Sequence, residues 1–463
     1  MRGLTNIEGI YFLGIGGIGM SALARYFLSM GYVVSGYDRT STALTERLEE
    51  EGCSIVYEDN TDALPELFAD PAERNRVLVV YTPAIPRESL LLRYFTDNDY
   101  SLYKRSEILG LISSETDAIA VAGTHGKTTV STMVAHILTS SDIKCSAFLG
   151  GISKNYDTNL LLAESRLTVM EADEFDRSFL HLSPLISVVT AIDPDHLDIY
   201  GTAEAMVSAY GDFCHRTREG GTLILNEAII GSLSLPSDAT VYSYGTGEHA
   251  SFRASGIARE EGFYRFDLIT PGEPVNDIML PLPGMVNILN ATAAAAAAWC
   301  AGADGDSIRR ALHTYRGVSR RFDVRYTGKE ITYVDDYAHH PQEINALVSA
   351  VRDFWPGKHI TGIFQPHLYT RTRDFADGFA KALDGLDEVL LLPLYPAREK
   401  PIEGVSSEMI AGLMKNSNVK VVTREELLPA LAGVKNGLLL TIGAGDIDRF
   451  IEPITKMLKE RNA

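Results

Sequence analysis

The run Gly123-Thr-His-Gly-Lys-Thr-Thr129 has the residue types that phosphate chemistry needs. Backbone N–H groups of such a loop cradle phosphates, Lys127 reaches the β/γ oxygens, and the Thr128 hydroxyl can ligate Mg2+. The usual loop carries another glycine five residues before its Gly-Lys pair; here that position is Val121, so the loop is short. A second glycine set, Gly14-x-Gly16-x-x-Gly19, lies near the N-terminus, and Asp38 follows Gly19 by 19 residues. Glycines there let the backbone approach a pyrophosphate, and an acid at that distance suits a ribose hydroxyl. Taken alone, this set predicts a nicotinamide-dependent dehydrogenase, and it equally fits a nucleoside diphosphate carrying another group. Hydride transfer has no use for the second loop. Two phosphate-binding loops imply two phosphate-bearing substrates, one of them ATP.

Acids and histidines cluster after the apolar runs that follow the Lys127 loop. Residues 167–170 lead into Glu171-Ala-Asp-Glu-Phe-Asp176, and residues 186–192 into Asp193-Pro-Asp-His-Leu-Asp198. In open parallel sheets ligands sit beyond the C-terminal strand ends, which places Glu171 and His196 near the γ-phosphate. Carboxylate oxygens suit Mg2+, whereas a His ligand is less usual for it. Asp173, Asp176, Asp195 and Asp198 read equally as solvated loop acids and helix caps. Further on, Val334-Asp-Asp-Tyr-Ala-His-His-Pro341 and Phe364-Gln-Pro-His-Leu-Tyr-Thr-Arg-Thr-Arg373 each end a strand and open a helix. Their polar residues are expected at two neighbouring strand ends, forming a binding edge where Arg371 or Arg373 grips a carboxylate.

The elements that must position these groups alternate strand and helix, as in α/β folds with parallel sheets. Strands are expected at 9–13, 32–36 and 77–81 with a helix at 21–30; a second round has strands at 118–122, 167–170, 186–191 and 222–225 and a helix at 128–139. A third has strands at 332–334, 360–364, 388–392 and 437–442, and the charged, alternating stretch 252–277 reads as a small antiparallel addition to the middle domain. The fold expected is α/β in three domains: an N-terminal Rossmann-like domain, a central P-loop ATPase-like parallel sheet and a C-terminal Rossmann-like domain. The boundaries fall at 1–112, 113–319 and 320–463.

Composition narrows the partners. The 463 residues are 45% hydrophobic and 22% charged, ordinary for a globular protein. A net charge of −19 argues against nucleic acid or an anionic membrane surface as the partner. Cys53, Cys145, Cys214 and Cys300 are scattered, as free thiols in a reducing compartment are. The N-terminus runs straight into a Gly-rich loop, and the strongest apolar stretch, 291–301, is too short to span a bilayer. A cytoplasmic protein, monomeric or weakly dimeric, is expected.

The ordered series Gly-x-Gly-Gly-x-Gly-Met-Ser, Gly-Thr-His-Gly-Lys-Thr-Thr, Glu-Ala-Asp-Glu, Asp-His-Leu-Asp, Asn-x-x-Asn, Arg-Arg-Phe-Asp, Asp-Asp-Tyr-Ala-His-His-Pro and Gln-Pro-His resembles the Mur ligases. The likeness runs from about residue 10 to residue 446. It implies domains for a UDP-sugar, ATP and an amino acid, with Mg2+ as the metal. The activity it implies is ATP-dependent addition of L-alanine to the lactyl carboxylate of UDP-N-acetylmuramate, a step of peptidoglycan precursor synthesis. By matching motif, Gly14, Gly16, Gly17, Ile18, Gly19, Met20, Ser21, Asp38, Thr82, Ala84 and Ile85 would hold the UDP-sugar. Gly123, Thr124, His125, Gly126, Lys127, Thr128 and Thr129 would hold the triphosphate. Asn287 and Asn290 would face the adenine, and Arg321 and Asp336 would close on the nucleotide. Thr128, Glu171 and His196 would bind Mg2+, while Tyr337, His339, His367 and Arg371 would line the alanine end. Lys127, Glu171, His196 and His339 would be catalytic, His339 as a candidate base for the amine.

Three departures bear on these roles. Val286 stands where His often precedes Asn-x-x-Asn, and Leu368 where Arg commonly follows Gln-Pro-His, which shifts weight to Arg371. Tyr210 stands where several relatives carry a carbamylated Lys that the alanine-adding branch also lacks. The rival readings are a recycling ligase that attaches a ready-made tripeptide, a nicotinamide-dependent dehydrogenase, and a non-catalytic nucleotide switch.

Overall fold

The computed structural model describes residues 6–194, 197–260, 262–397 and 399–461, with backbone alone for 197 and 198. Three sheets carry the chain, and it divides into two compact units. The first comprises Met1–Ala258, Arg265–Met279 and Leu289–Tyr315; the second comprises Arg259–Tyr264, Leu280–Ile288 and Arg316–Ala463.

Within the first unit, the N-terminal sheet has β1 (Gly9–Leu13), β2 (Val33–Tyr37), β3 (Ser54–Val56), β4 (Val77–Tyr81) and β5 (Ser101–Lys104) in the order β3-β2-β1-β4-β5. All four of its neighbouring pairs are parallel. β1 is buried along its whole length, because helices cover both faces of such a sheet. The helix after β1 spans Ile18–Ser29, three residues ahead of the start expected from hydrophobic periodicity. Gly17 caps it without any side-chain hydrogen bond, so the first turn keeps its N–H groups turned toward the loop.

The central sheet has ten strands: β6 (Asp117–Ala122), β7 (Ser146–Ser153), β8 (Thr158–Leu161), β9 (Leu167–Glu171), β10 (Ile186–Val189), β11 (Thr222–Asn226), β12 (Thr240–Gly245), β13 (Phe252–Glu260), β14 (Phe263–Ile269) and β15 (Val275–Leu280). Their order is β15-β14-β13-β12-β11-β10-β6-β9-β7-β8. The alternating stretch is thus three strands added in succession to one edge. β6 lies between β10 and β9 and runs parallel to both, so three strand ends emerge side by side. Helix Lys127–Ser140 leaves the end of β6, one residue ahead of expectation. Helix Met285–Cys300 carries an alanine run whose residues 291 and 293–298 are at most 1% exposed. Methyl side chains let neighbouring backbone approach closely, which a larger residue would prevent.

In the second unit, β16 (Asp323–Thr327), β17 (Ile331–Asp336), β18 (Ile360–Phe364), β19 (Glu388–Leu391), β20 (Val419–Val421) and β21 (Gly437–Ile442) form a sheet ordered β16-β17-β21-β18-β19-β20. β16 is antiparallel to β17, and the remaining pairs are parallel. The expected neighbouring of β17 and β18 is corrected here: β21 lies between them. A late strand inserting into the middle of a sheet leaves no local mark in sequence. Among the described residues no helix is long and apolar enough to cross a membrane.

Candidate active site

The Lys127 loop is built by backbone that few residues tolerate. Gly123 has φ +131° and Gly126 φ +82°, both in the region that favours glycine. The Thr124 N–H donates to the Ala191 carbonyl (3.0 Å), and the Thr124 hydroxyl accepts from Asp193 N (3.1 Å). The Thr190 hydroxyl donates to the His125 carbonyl. His125 Nε2 lies 3.6 Å from Asp193 Oδ2, and the Thr129 carbonyl accepts from Tyr315 at 3.5 Å. The loop is therefore pinned to the end of β10 before any ligand arrives.

Two side chains of the loop point into the acidic segment after β9. Thr128 Oγ1 donates to Glu171 Oε2 at 2.8 Å. Gly150 makes room for that carboxylate, since a Cβ there would lie 2.6 Å from Glu171 Cδ. Lys127 Nζ donates to the Gly123 carbonyl and to Glu174, each at 2.8 Å. Glu174 was not among the residues expected to act; in sequence it is one acid of a run. Both ends of this ion pair are largely buried, with side-chain exposures of 14% and 2%. Burial raises the Glu174 pKa despite its lysine partner. Burial also opposes the charge on Lys127, but Glu174, Glu171 and Asp173 outweigh it and raise the Lys127 pKa. His196 and Asp195 lie outside the described residues, as does the Asp198 side chain. Among the described residues no group of three or more His, Cys, Asp or Glu is placed to hold a metal.

The first glycine loop gathers several of its expected residues. Asp38 Oδ2 accepts from Gly16 N at 2.8 Å, so this carboxylate braces the loop itself. A Cβ on Gly16 would meet that carboxylate and Thr45, and one on Gly14 would meet Thr82 at 2.8 Å. Gly17 N donates to the Gly14 carbonyl at 3.2 Å. The turn after β4 is closed by Ile85 N donating to the Thr82 carbonyl, and Ala84 N reaches Thr82 Oγ1 at 3.4 Å. Ser21 and the Ile18 carbonyl are both taken by Asn159 Nδ2, at 2.9 and 2.6 Å, and Met20 is buried. Asn159 and Arg105, whose guanidinium covers Gly19, were not anticipated.

The two asparagines lie three residues apart on helix Met285–Cys300. Asn290 packs its Oδ1 2.7 Å from where a Gly126 Cβ would stand, under the Lys127 loop. Asn287 Nδ2 donates to the Pro283 carbonyl at 2.7 Å and so braces the turn before its own helix. Val286 is exposed.

The second unit has its own polar cluster. Asp336 accepts from Phe322 N (2.6 Å) and Ala338 N (2.8 Å), and burial lifts its pKa to about 6 although Arg321 opposes this. His339 Nδ1 lies 3.0 Å from the Tyr337 carbonyl and 3.3 Å from Glu343 Oε2. Both neighbours accept, so the proton sits on Nδ1 and the Nε2 lone pair is presented outward from that pair. Burial depresses the His339 pKa to about 4 against the pull of Glu343, with Arg371 and Arg321 adding to the depression. The Arg320 and Arg321 guanidiniums lie 5.1 and 4.9 Å from the Tyr337 ring centre. The His339 and His367 rings are 6.2 Å apart, and His367 stacks on Tyr395.

The Gln-Pro-His turn sets its two arginines differently. Leu368 caps helix Tyr369–Leu383 with φ +68°, a strained value for a leucine. Arg371, in the first turn of that helix, is buried, whereas Arg373 is exposed and pairs with Asp374 at 2.7 Å. Gln365 Nε2 donates to Asp446 at 2.8 Å, joining the ends of β18 and β21.

Opposed titrations are expected to leave a mark on stability. Asp336, raised above its unfolded value, contributes stability below about pH 4 that is lost as pH rises through about 6. His339, depressed, contributes stability above about pH 6.5 that is lost as pH falls through about 4. The two nearly cancel between pH 4 and 6. His339→Asn should therefore unmask Asp336: the transition of the second unit should shift to higher temperature on going from pH 6.5 to 4.5, by calorimetry. A shift no larger than that of the unsubstituted protein would count against this assignment.

Comparison with known proteins gives the family. Residues 9–116 match the Mur ligase family catalytic domain, 121–298 the Mur ligase middle domain, and 320–445 the Mur ligase glutamate ligase domain. The UDP-N-acetylmuramate–L-alanine ligase of Cytophaga hutchinsonii is 46% identical over 99% of this chain and 98% of its own length. That of Parabacteroides distasonis is 45% identical over 98% of both chains. The crystal structure of UDP-N-acetylmuramate–alanine ligase from Thermotoga maritima superposes with a TM-score of 0.82 at 27% identity, covering 98% of this chain and 99% of that one. A murein peptide ligase from Psychrobacter arcticus shares the fold, with a TM-score of 0.70 at 21% identity over 97% and 98% of the two chains. Matched by family models in all three parts and by a relative 46% identical along its whole length, this protein belongs to the Mur ligase family of ATP-dependent, amide-forming ligases.

Proposed function

We propose that this enzyme joins L-alanine to the lactyl carboxylate of UDP-N-acetylmuramate, with ATP consumed and an acyl phosphate as intermediate, as a cytoplasmic step of peptidoglycan precursor synthesis. The observation that carries the reading is identity of 46% along the whole chain with ligases of that name. The boundaries near residues 112 and 319 divide it into UDP-sugar, ATP and amino-acid domains. The first glycine loop with Asp38 and the Thr82 turn serves the UDP-sugar, and residues 123–129 serve the triphosphate. Asn287 and Asn290 serve the adenine end, with Arg321 and Asp336 closing on the nucleotide. The protein acts as a monomer or weak homodimer.

The residues where the Lys127 loop meets the end of β9 fit Mg2+. Thr128 Oγ1 and Glu171 Oε2 are hard oxygen donors already 2.8 Å apart. They would hold the ion together with His196, and when bound it neutralises charge on the transferring phosphoryl group. Gly123 and Glu174 take two of the three Lys127 N–H donors, and the third reaches the phosphate oxygens. The lactyl carboxylate attacks the γ-phosphorus in line, the bond to the bridging oxygen breaks, and ADP leaves. The amine of alanine attacks the resulting acyl carbonyl, and phosphate departs. His339 takes the proton that the amine sheds on bonding; neutral at physiological pH, it has Nε2 ready as acceptor. Arg371 receives the alanine carboxylate.

Phosphate release from ATP and UDP-N-acetylmuramate is expected with free L-alanine and not with the tripeptide. Release that requires the tripeptide would move the enzyme to the recycling branch. Arg371→Ala should raise the KM for alanine by about tenfold or more, the scale of a charge-assisted hydrogen bond. Arg373→Ala should leave it within about twofold, as for an exposed pair. Equal effects would remove Arg371 from the alanine site.

A further inference from the structure

Arg105 opens the helix Arg105–Glu115 directly after β5. Its two terminal nitrogens address different loops. Nη2 donates to Asp173 Oδ2 at 3.0 Å. Nη1 lies over Gly19, so near that a Cβ there would collide with it; Cζ and Cδ are 3.1 and 3.2 Å from the same point. Side-chain exposures of 25% for Arg105 and 37% for Asp173 leave the pair reachable by a solute.

On the Gly19 side, the loop needs a cation. Asp38 has taken the Gly16 N–H and adds a negative charge to the place a pyrophosphate must occupy. Helix dipole and backbone N–H groups must hold two phosphates beside that carboxylate, and a planar guanidinium is well matched to phosphate oxygens. On the other side, Asp173 is followed by Glu174, the buried partner of Lys127. Asp173 Oδ1 also accepts from Phe175 N (3.1 Å), and its carbonyl accepts from Phe179 N (2.9 Å). Lys104 Nζ binds Asp176 Oδ2 at 2.7 Å. Two consecutive cations, Lys104 and Arg105, thus hold the segment that holds Lys127. The helix they introduce is seated flush on this segment, since a Cβ on Gly110 would lie 2.6 Å from the His181 carbonyl oxygen.

We propose that Arg105 binds the pyrophosphate of the sugar nucleotide through Nη1 while Nη2 keeps Asp173, so that filling the first glycine loop locks Arg105 and, through Asp173, the placement of Glu174, and tightens ATP binding at the Lys127 loop. This rests on reading the first loop as a nucleoside-diphosphate site and adds a positioning residue that links it to the second. A fixed Arg105–Asp173 pair serves both loops, and the coupling must be reciprocal.

The test is calorimetric titration of the full chain with UDP and with UDP-N-acetylmuramate, each with and without a non-hydrolysable ATP analogue and Mg2+. For the unsubstituted protein, the analogue should tighten UDP-N-acetylmuramate binding by about fivefold or more. Arg105→Ala should weaken UDP binding by about tenfold and abolish the coupling. Arg105→Lys keeps a charge without a fork, so it should recover part of the affinity and none of the coupling. Asp173→Asn should bind UDP within about twofold of the unsubstituted protein and show no coupling. Circular dichroism checks each variant for folding, and Arg105→Lys carries the test if Arg105→Ala does not fold. Undiminished UDP affinity without Arg105, intact coupling in Asp173→Asn, or no coupling in the unsubstituted protein would each overturn the proposal. Alanine-dependent turnover with unaltered UDP binding in Arg105→Ala would keep the ligase reading and discard this one. Coupled UDP binding without alanine-dependent turnover would do the reverse.

Discussion

Lys127→Ala should lower ATP-dependent phosphate release by about 10²–10³-fold or more, the scale of removing one preorganised charge-stabilising donor. It should also destabilise the protein, which a surface lysine would not do. The substitution strands Glu174, whose side chain is 2% exposed, without its partner. Breaking a buried pair from one side costs about 3–5 kcal/mol, because the remaining charge is uncompensated. Burial already raises the Glu174 pKa, and loss of the lysine raises it further. The variant should therefore be most stable at low pH and lose stability as pH rises. Adding Glu174→Gln should restore much of the melting temperature and none of the activity. If the double variant recovers turnover, Lys127 is not the phosphate-binding lysine.

Gly123→Ala should be the more damaging of the two loop glycine substitutions. At Gly123 the backbone sits at φ +131°, and a Cβ would lie 2.8 Å from Ala191 N and 2.9 Å from Thr190 N. Those are backbone atoms at the end of β10, and they cannot turn aside. Gly126 is also left-handed, at φ +82°, but a Cβ there meets a side-chain atom, Asn290 Oδ1, at 2.7 Å. The end of a side chain gives way more readily than backbone, and the left-handed φ itself costs about 1–2 kcal/mol. Gly126→Ala should therefore yield folded protein with weakened nucleotide binding. Gly123→Ala should lose more than that in stability and bind no measurable ATP analogue. Comparable melting temperatures for the two variants would mean that the β10 end moves more freely than these contacts imply.

Much of this arrangement is written locally. The strands at 9–13, 77–81, 360–364 and 437–442 are apolar runs closed by turn-forming residues, and they occur where the pattern places them. The helix starts at Ile18 and Lys127 fall ahead of the hydrophobic period because a glycine, not a polar side chain, caps each of them. What stays hidden depends on residues distant in sequence meeting in space. Glu174 is one acid among several until the parallel pairing of β6 with β9 brings it to Lys127. Arg105 lies 86 positions from Gly19 and 68 from Asp173, and no periodicity joins them. The separation of β17 from β18 follows from the last strand entering between them. Asp38 shows the same limit from the other side. Its spacing from the glycines is that of a ribose ligand, yet its carboxylate is engaged by the loop it follows.

The buried alanine run of helix Met285–Cys300 bears on how this protein can diverge. Residues 293–298 have no surface to vary on and no volume to grow into. A larger side chain there would overpack a fully buried site, at a typical cost of about 1–3 kcal/mol. Glycine would loosen the helix by about 1 kcal/mol. Drift is thus closed in both directions for a segment with no acid, base or nucleophile in it. In an alignment such a stretch would look as constrained as the phosphate loops. The cause would be geometry alone, and a mutational scan would separate the two: alanine-run variants should lose folded protein, while loop variants lose turnover first.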